Sequence, residues 1–325
     1  MNLTELLLID EKNYSYIMKT EIEPYLEKKR KDDFFFTEDN VKIHYEFYDK
    51  LISRGTVVII HGFTESAEKF RETAYYFRKA GYSVFSLDLR DHGKSSHSSV
   101  KKERIETKDF SLYREDLNIF IEKIVKPEAK GRPIYIYSHS LGSAVALMYL
   151  EKYQGSVEKA VLSSPMICGN MGMPVPVAST VAKLICAVGG GKISAPGRCV
   201  FNPQQTFESS DAISLSRFSY YHEKRKNEPL YQTSGPSFSW VKASVEARDS
   251  ILSEDNIRKI KADLLIFKPE EDKQLLGEYT DMFAEKSHTK VIKIENSKHE
   301  IFMSENEELA YYYGKIFEFF GDDLF

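Results

Sequence analysis

Ser138-His139-Ser140-Leu141-Gly142 stands between an apolar run, Ile134 to Tyr137, and a second apolar stretch, Ala144 to Leu147. Where a strand passes into a helix, the serine at the centre of such a pentapeptide sits on a sharp turn. That turn lifts its hydroxyl out of the carboxyl edge of the sheet. The chemistry this suits is nucleophilic attack on a carbonyl carbon. The turn requires small residues two places before and two places after, because the backbones approach closely there. Gly142 meets the requirement, and Ser138 is small enough to fit where glycine is usual.

A serine hydroxyl needs a base. Of the eight histidines, His299 lies in Asn296-Ser297-Lys298-His299-Glu300, a loop expected to open at the same sheet edge as Ser140. His288 precedes the last expected strand and belongs to the opposite edge. His139, next to the nucleophile, is expected to point away. The acid that orients the imidazole should follow an earlier strand at that edge. Pro269-Glu270-Glu271-Asp272 does so, and Asp272 is preferred, with Glu271 as its competitor. Asp281 falls within an expected helix. The acid holds the imidazole tautomer and stabilises the imidazolium, without taking the proton. His61-Gly62-Phe63 follows the apolar run Thr56–Ile60, so the backbone N–H of Phe63, with that of Leu141, can face a developing oxyanion. The stretch from Asp88 to Ser95 reads as a loop bracing this edge. No His/Cys/Asp spacing suits a metal and no glycine loop suits a phosphate, so neither metal nor cofactor is expected.

The elements that must position these residues alternate strand and helix, the mark of a mostly parallel sheet covered on both faces. Strands are expected at Phe34–Thr37, Val41–Tyr48, Thr56–Ile60, Ser83–Leu87, Pro133–Tyr137, Val157–Ser163, Asp263–Phe267 and Lys290–Ile294. Helices are expected near Ala67–Ala80 (ending at Gly81), Phe110–Val125 (closed by Pro127), Ser140–Tyr153 and Leu275–Glu285. A final helix begins near Glu305, with Ser304 and Glu307 as a capping box. Its inward stripe is Leu309, Tyr312, Ile316, Phe319 and Phe320. From Pro165 to Ser250 the rhythm breaks, with six prolines after Pro165 and the run Gly189-Gly190-Gly191. The domain reading is therefore a helical extension over 1–32, a core over 33–164 and 251–325, and a mainly helical cap over 165–250.

Composition narrows the classes. The chain has 325 residues, a formal net charge of −4, 20 Tyr and 21 Phe. Nothing in it favours nucleic acid, which calls for a clustered basic surface. The short basic run Lys28-Lys29-Arg30-Lys31 reads as a solvated helix end. Three cysteines, Cys168, Cys186 and Cys199, are too few and odd in number for a disulfide framework. The apolar stretch Leu6 to Ile9 is too short for a signal peptide. Met171 to Val188, interrupted by Pro174, Pro176 and Lys183, is a poor membrane span. The expectation is a cytoplasmic protein, with transient contact at the inner membrane face.

These segments together resemble the α/β-hydrolase superfamily, and within it the bacterial lysophospholipase and monoacylglycerol lipase group. The order Ser, Asp, His is that superfamily's order. His61 to Ser66 resembles the group's oxyanion loop, Ser138 to Ser143 its nucleophile elbow, and Ser164-Pro165-Met166 the start of its cap. Ser234 to Val241 is similar to a cap segment of its lysophospholipase members, and Lys298-His299-Glu300-Ile301 to their histidine loop. Ser138 and Asp91 depart from the pattern by replacing glycines. The resemblance implies an α/β-hydrolase fold and hydrolysis of an ester bearing one fatty acyl chain, from a small amphiphilic substrate. Met171, Met173 and Trp240 are the substrate-binding candidates. Two other readings stay open: a serine aminopeptidase using acids such as Glu208, Asp211, Glu223 or Glu228, and a silent hydrolase-fold binding protein.

Overall fold

All five residues of Thr56–Ile60 are β-branched, and all are buried, as a strand covered on both faces requires. They form β3 of an eight-stranded sheet. The computed structural model describes residues 8–97, 104–196, 201–233 and 235–321; Cys199 and Ser234 lie outside the described residues. The other strands of this sheet are β1 (Arg30–Phe36), β2 (Lys42–Tyr48), β4 (Ser83–Leu87), β6 (Ile134–His139), β7 (Lys159–Ser163), β9 (Asp263–Pro269) and β10 (Lys290–Ile294). Two short strands, β5 (Arg104–Ile105) and β8 (Gly235–Pro236), pair separately.

The sheet order is β1-β2-β4-β3-β6-β7-β9-β10. β1 and β2 are antiparallel to their neighbours, and every other pair is parallel. All six parallel strands thus end at one edge, and the loops after β3, β6, β9 and β10 meet there. Along β3, Val58 and Ile60 join one apolar cluster while Val57 and Ile59 join another, the two-residue period that sends alternate side chains to opposite faces.

Of the helices, α1 covers 11–27, α2 is Arg71–Ala80, α3 covers 110–129, α4 is Leu141–Lys152 and α5 is Val175–Ala187. They are followed by α6 (Leu215–Asn227), α7 (Phe238–Ile251), α8 (Gly277–Ser287) and α9 (Asn306–Phe320). All of α4 except Lys152 is buried, because the helix is apolar on every side and packs at the centre of the core. α2 ends where Gly81 takes φ +111°, a left-handed cap that costs glycine little.

Three local expectations are corrected. Pro127 does not close a helix: α3 continues to Ala129, through a π-helical turn at Ile121–Val125. The same arrangement recurs in α1, where the π turn Met18–Ile22 precedes Pro24. Proline lacks an N–H and its ring clashes with the carbonyl four residues back. A widened turn just before it lets the helix pass. The basic run does not end a helix either. α1 stops at Glu27 and Arg30 opens β1, donating to Glu27, Asp32 and the buried Glu46. Ser304 is not the cap of α9. Its hydroxyl is buried without a partner, and the Asn306 N–H goes instead to Glu11 Oε2 at 3.2 Å.

Between Ser163 and Asp263 the described chain adds no strand to the main sheet. It carries α5, α6 and α7, of which α7 sinks Trp240, Ala243, Ala247 and Ile251 into the core. No helix among the described residues is long and apolar enough to cross a membrane.

Candidate active site

The turn between β6 and α4 is built around Ser140, whose backbone adopts φ 49° and ψ −116°. Such strain persists only where the surroundings over-determine it, and here they do. The Ser140 N–H donates to the Ser163 carbonyl at 3.0 Å, and the Ser140 carbonyl accepts from Met166 at 3.1 Å. Gly142 is required by close approach: a Cβ there would lie 2.2 Å from the Ile60 carbonyl oxygen. Ser138, in place of the usual glycine, is accommodated by donating to the Val161 carbonyl at 3.0 Å and meeting Ser143 Oγ at 3.0 Å.

The loop after β10 carries the buried His299 to this turn. Its Nε2 lies 3.0 Å from Ser140 Oγ, and its Nδ1 lies 2.8 Å from Asp272 Oδ2. The loop is held from below by Ser164, itself at φ +45°, whose hydroxyl donates to the His299 carbonyl at 2.7 Å. Asp272 uses its other oxygen to accept the N–H groups of Gln274 and Leu275 at 2.9 and 3.1 Å. Glu271 is exposed and contributes only its backbone, to Ser297. Asp281 sits in α8, paired with Lys268. Burial works to lower the His299 pKa, but the hydrogen bond and charge of Asp272, aided by Asp211 and Glu300, outweigh it. The net shift is upward from 6.5.

His139 does not point away from the site. Its ring centre lies 4.8 Å from that of His299, and its Nδ1 is buried with no hydrogen-bond partner. Burial, then the neighbouring His299, hold its pKa well below 6.5, which keeps it neutral. His288 closes α8 at the far edge. His61 is structural: Nδ1 donates to the Gly62 carbonyl at 2.7 Å, and Nε2 accepts the Leu89 N–H at 3.0 Å.

Leu141 is the first residue of α4, so its N–H has no carbonyl one turn back to receive it, and the helix dipole adds positive potential there. Phe63 lines the same cavity, 4.4 Å ring to ring from Trp240. The Asp88 loop braces this edge. Asp88 accepts from the Ala67 N–H at 2.7 Å and the Lys94 N–H at 2.9 Å, and bonds His44 Nδ1 at 2.7 Å. Burial raises its pKa, yet the His44 contact and these amides win and leave it at about 2. Arg90 grips Asp116 and Asp39. Asp91, replacing a glycine, takes φ +65°, a conformation that Asp tolerates better than most residues.

Ser140 and His299 open into a cavity of about 680 Å³. Met171, Met173 and Trp240 all line it. Its polar side includes Glu65, Lys69, Asp211 and Glu300, of which the sequence singles out Asp211 as a possible substrate-binding acid, Glu65 and Glu300 only as parts of motifs, and Lys69 not at all. Glu208 and Glu223 are exposed, and Glu228 caps the turn Pro229–Tyr231. Among the described residues Asp32, His44 and Glu46 could meet a cation, but Arg30 and Lys94 already hold those carboxylates.

Comparison with known proteins agrees with this architecture. A "Probable lysophospholipase L2" of Haemophilus influenzae is 25% identical over 268 residues, covering 81% of this chain and 83% of its own. A "Monoacylglycerol lipase" of Mycolicibacterium smegmatis is 32% identical over 164 residues, about half of each chain (50% and 51%). The crystal structure of a soluble variant of monoglyceride lipase from Saccharomyces cerevisiae superposes with a TM-score of 0.72 at 18% identity, over 89% of this chain and 94% of that one. This likeness gives the α/β-hydrolase fold. The family model for "Serine aminopeptidase, S33" matches residues 52–307, so the chain belongs to the serine aminopeptidase S33 family of α/β-hydrolases.

Proposed function

We propose that this protein hydrolyses carboxylic esters bearing one acyl chain, of the lysophospholipid or monoacylglycerol kind, through an acyl-enzyme on Ser140. The observation that carries this reading is the relay at the cavity edge: Ser140 Oγ 3.0 Å from His299 Nε2, and His299 Nδ1 2.8 Å from Asp272.

In the first half-reaction Ser140 Oγ attacks the ester carbonyl while His299 takes its proton. Asp272 stabilises the imidazolium, and the N–H groups of Phe63 and Leu141 receive the oxyanion. The intermediate collapses, the C–O bond to the alcohol breaks, and His299 returns the proton to that oxygen. Water then attacks the acyl-enzyme, His299 takes its proton, and the acid leaves as Oγ is reprotonated. The cavity's apolar wall, with Met171, Met173, Val181 and Trp240, suits an alkyl chain. Residues 165–250 act as its cap. Replacing Ser140 by Ala should cost about 10⁴-fold or more in kcat on lysophosphatidylcholine and on a nitrophenyl ester. Turnover within tenfold of wild type refutes the role of Ser140.

A lipid surface is the partner this reading adds. Val177, Val181 and Leu184 are exposed along one stripe of α5, which Val188 extends just past the helix end, and the stripe is continuous with the cavity mouth through Met173 and Val181. The only charges from Met171 to Pro196 are Lys183 and Lys192, the sign that complements anionic head groups.

Asp211 on the cavity wall favours a second reading, an aminopeptidase whose substrate amine meets that carboxylate. Release of proline from a chromogenic proline amide, faster than ester hydrolysis, would select it.

A further inference from the structure

Two loops must hold register for the proposed reaction to run. The loop after β3 carries Gly62 and Phe63, and the loop after β10 carries His299. A buried cation lies between them. Lys69 Nζ donates to Glu65 Oε1 at 2.8 Å and to Glu300 Oε1 at 2.5 Å. Glu65 uses its second oxygen to accept the Gly62 N–H at 2.6 Å, and Glu300 directly follows His299. Two rings flank the ammonium, with Nζ 5.2 Å from the centre of Tyr221 on α6 and 5.5 Å from that of Phe302. Its side chain is only 6% exposed, as is that of Glu65. An ammonium taken this far from water is retained only where its hydrogen bonds are filled, and here each bond ends on one of the two loops.

We infer that Lys69 is a positioning residue: its ammonium clamps the oxyanion loop, through Glu65, to the histidine loop, through Glu300. This rests on the reading of Ser140 and His299 given above. The clamp acts on the distance between the Phe63 N–H and the His299 ring, the two groups that must serve the tetrahedral intermediate together. Displacing either by about 1 Å costs on the order of 10²-fold in rate. Since the clamp lies on the polar side of the cavity and not among the residues of its apolar wall, its loss falls on kcat and leaves KM largely alone.

A structural role alone would not move the pH profile, and here the two partners move it in opposite directions. The charges around His299 are Asp272 after β9, Asp211 before α6, and Glu300 on its own loop, with neutral His139 beside it. Glu300 raises the pKa of His299. Replacing Glu300 by Gln removes that negative charge and shifts the acidic limb of kcat/KM to lower pH. Replacing Lys69 by Met leaves Glu300 uncompensated and shifts the limb to higher pH.

The experiment measures kcat, KM and the pH profile of wild type, Glu300→Gln, Lys69→Met and the double variant on a soluble nitrophenyl ester, with thermal unfolding to verify the fold. Each single variant should lose tenfold or more in kcat, with KM within threefold, and the limbs should separate in the stated directions. The double variant should lose less than the product of the two. Glu300 is the more exposed partner, at 20% of its side chain, so Glu300→Gln decides the matter if Lys69→Met does not fold. A folded Glu300→Gln protein with kcat within twofold of wild type overturns the clamp, as does a loss expressed in KM or with an unmoved acidic limb. An inert wild type, or an active Ser140→Ala, would instead overturn the underlying reading.

Discussion

Helices α5 and α6 belong to the same stretch between β7 and β9, yet they meet the rest of the molecule in opposite ways. From α6, the fully buried Arg217 donates to Glu72 on α2 at 2.8 Å, to Glu11 of α1 at 2.8 Å, to the Ser304 carbonyl at 3.0 Å and to Asn306 of α9 at 2.8 Å. Tyr14 and Tyr76 donate to the same Glu72 carboxylate. One guanidinium thus ties α6 to three helices distant in sequence, using the planar fork that makes Arg suited to buried pairs. Lys224 adds ion pairs to Glu23 and Glu68. From α5, by contrast, Leu184 is 64% exposed and Val188, just past its end, is 85% exposed. The lesson is that one part of the cavity wall is bolted to the core through charges, while another offers apolar surface outward.

That contrast can be broken or sharpened by substitution. The largest effect is expected at the sheet rim, at Asp272. Asp272→Asn should lower kcat by about 10⁴-fold, because the acid then no longer fixes the imidazole tautomer, whereas Glu271→Gln should stay within twofold. Equal losses at the two positions would overturn the assignment of the acid. Next is Arg217→Met, which leaves Glu72 and Glu11 buried or half-buried without their cation. It should cost about 3–5 kcal/mol in unfolding free energy, read by denaturant titration. An unchanged midpoint would mean that α6 is not anchored through this network. The smallest effect on catalysis, and the one that separates the two helices, is at α5. Leu184→Asp combined with Val188→Asp should leave hydrolysis of a soluble nitrophenyl ester within twofold, yet weaken co-sedimentation with anionic phospholipid vesicles tenfold or more. Equal sedimentation of wild type and variant would remove the lipid surface as the partner of this stripe.

Much of the sheet was legible in the residues. Thr56–Ile60, Ser83–Leu87 and Lys290–Ile294 are strands with the expected bounds, since short apolar runs edged by turn residues leave few alternatives. The candidates Ser140, His299 and Asp272 were readable for a related reason: each comes just after a strand, and parallel strands bring their trailing loops to a common edge. The polar clamp was not. Lys69 and Glu300 are 231 positions apart, and a lone lysine in the first turn of an expected helix reads as solvated. The ring of His139 defeated expectation because adjacency in sequence says little about direction on a strained turn.

By itself, then, the sequence determined the alternation of strand and helix, the site of the tight turn at Ser140 and the apolar stripe of α9, because these depend on local sterics and on the period of hydrophobic residues. Only the tertiary structure decided which charges are buried. Arg217 stands among Arg, Lys and Glu residues that mark α6 as solvent-facing, and Ser304 carried a cap signal that Glu11 displaced. Whether a polar group is solvated or paired is set by what other segments bring to it, and no local pattern records that.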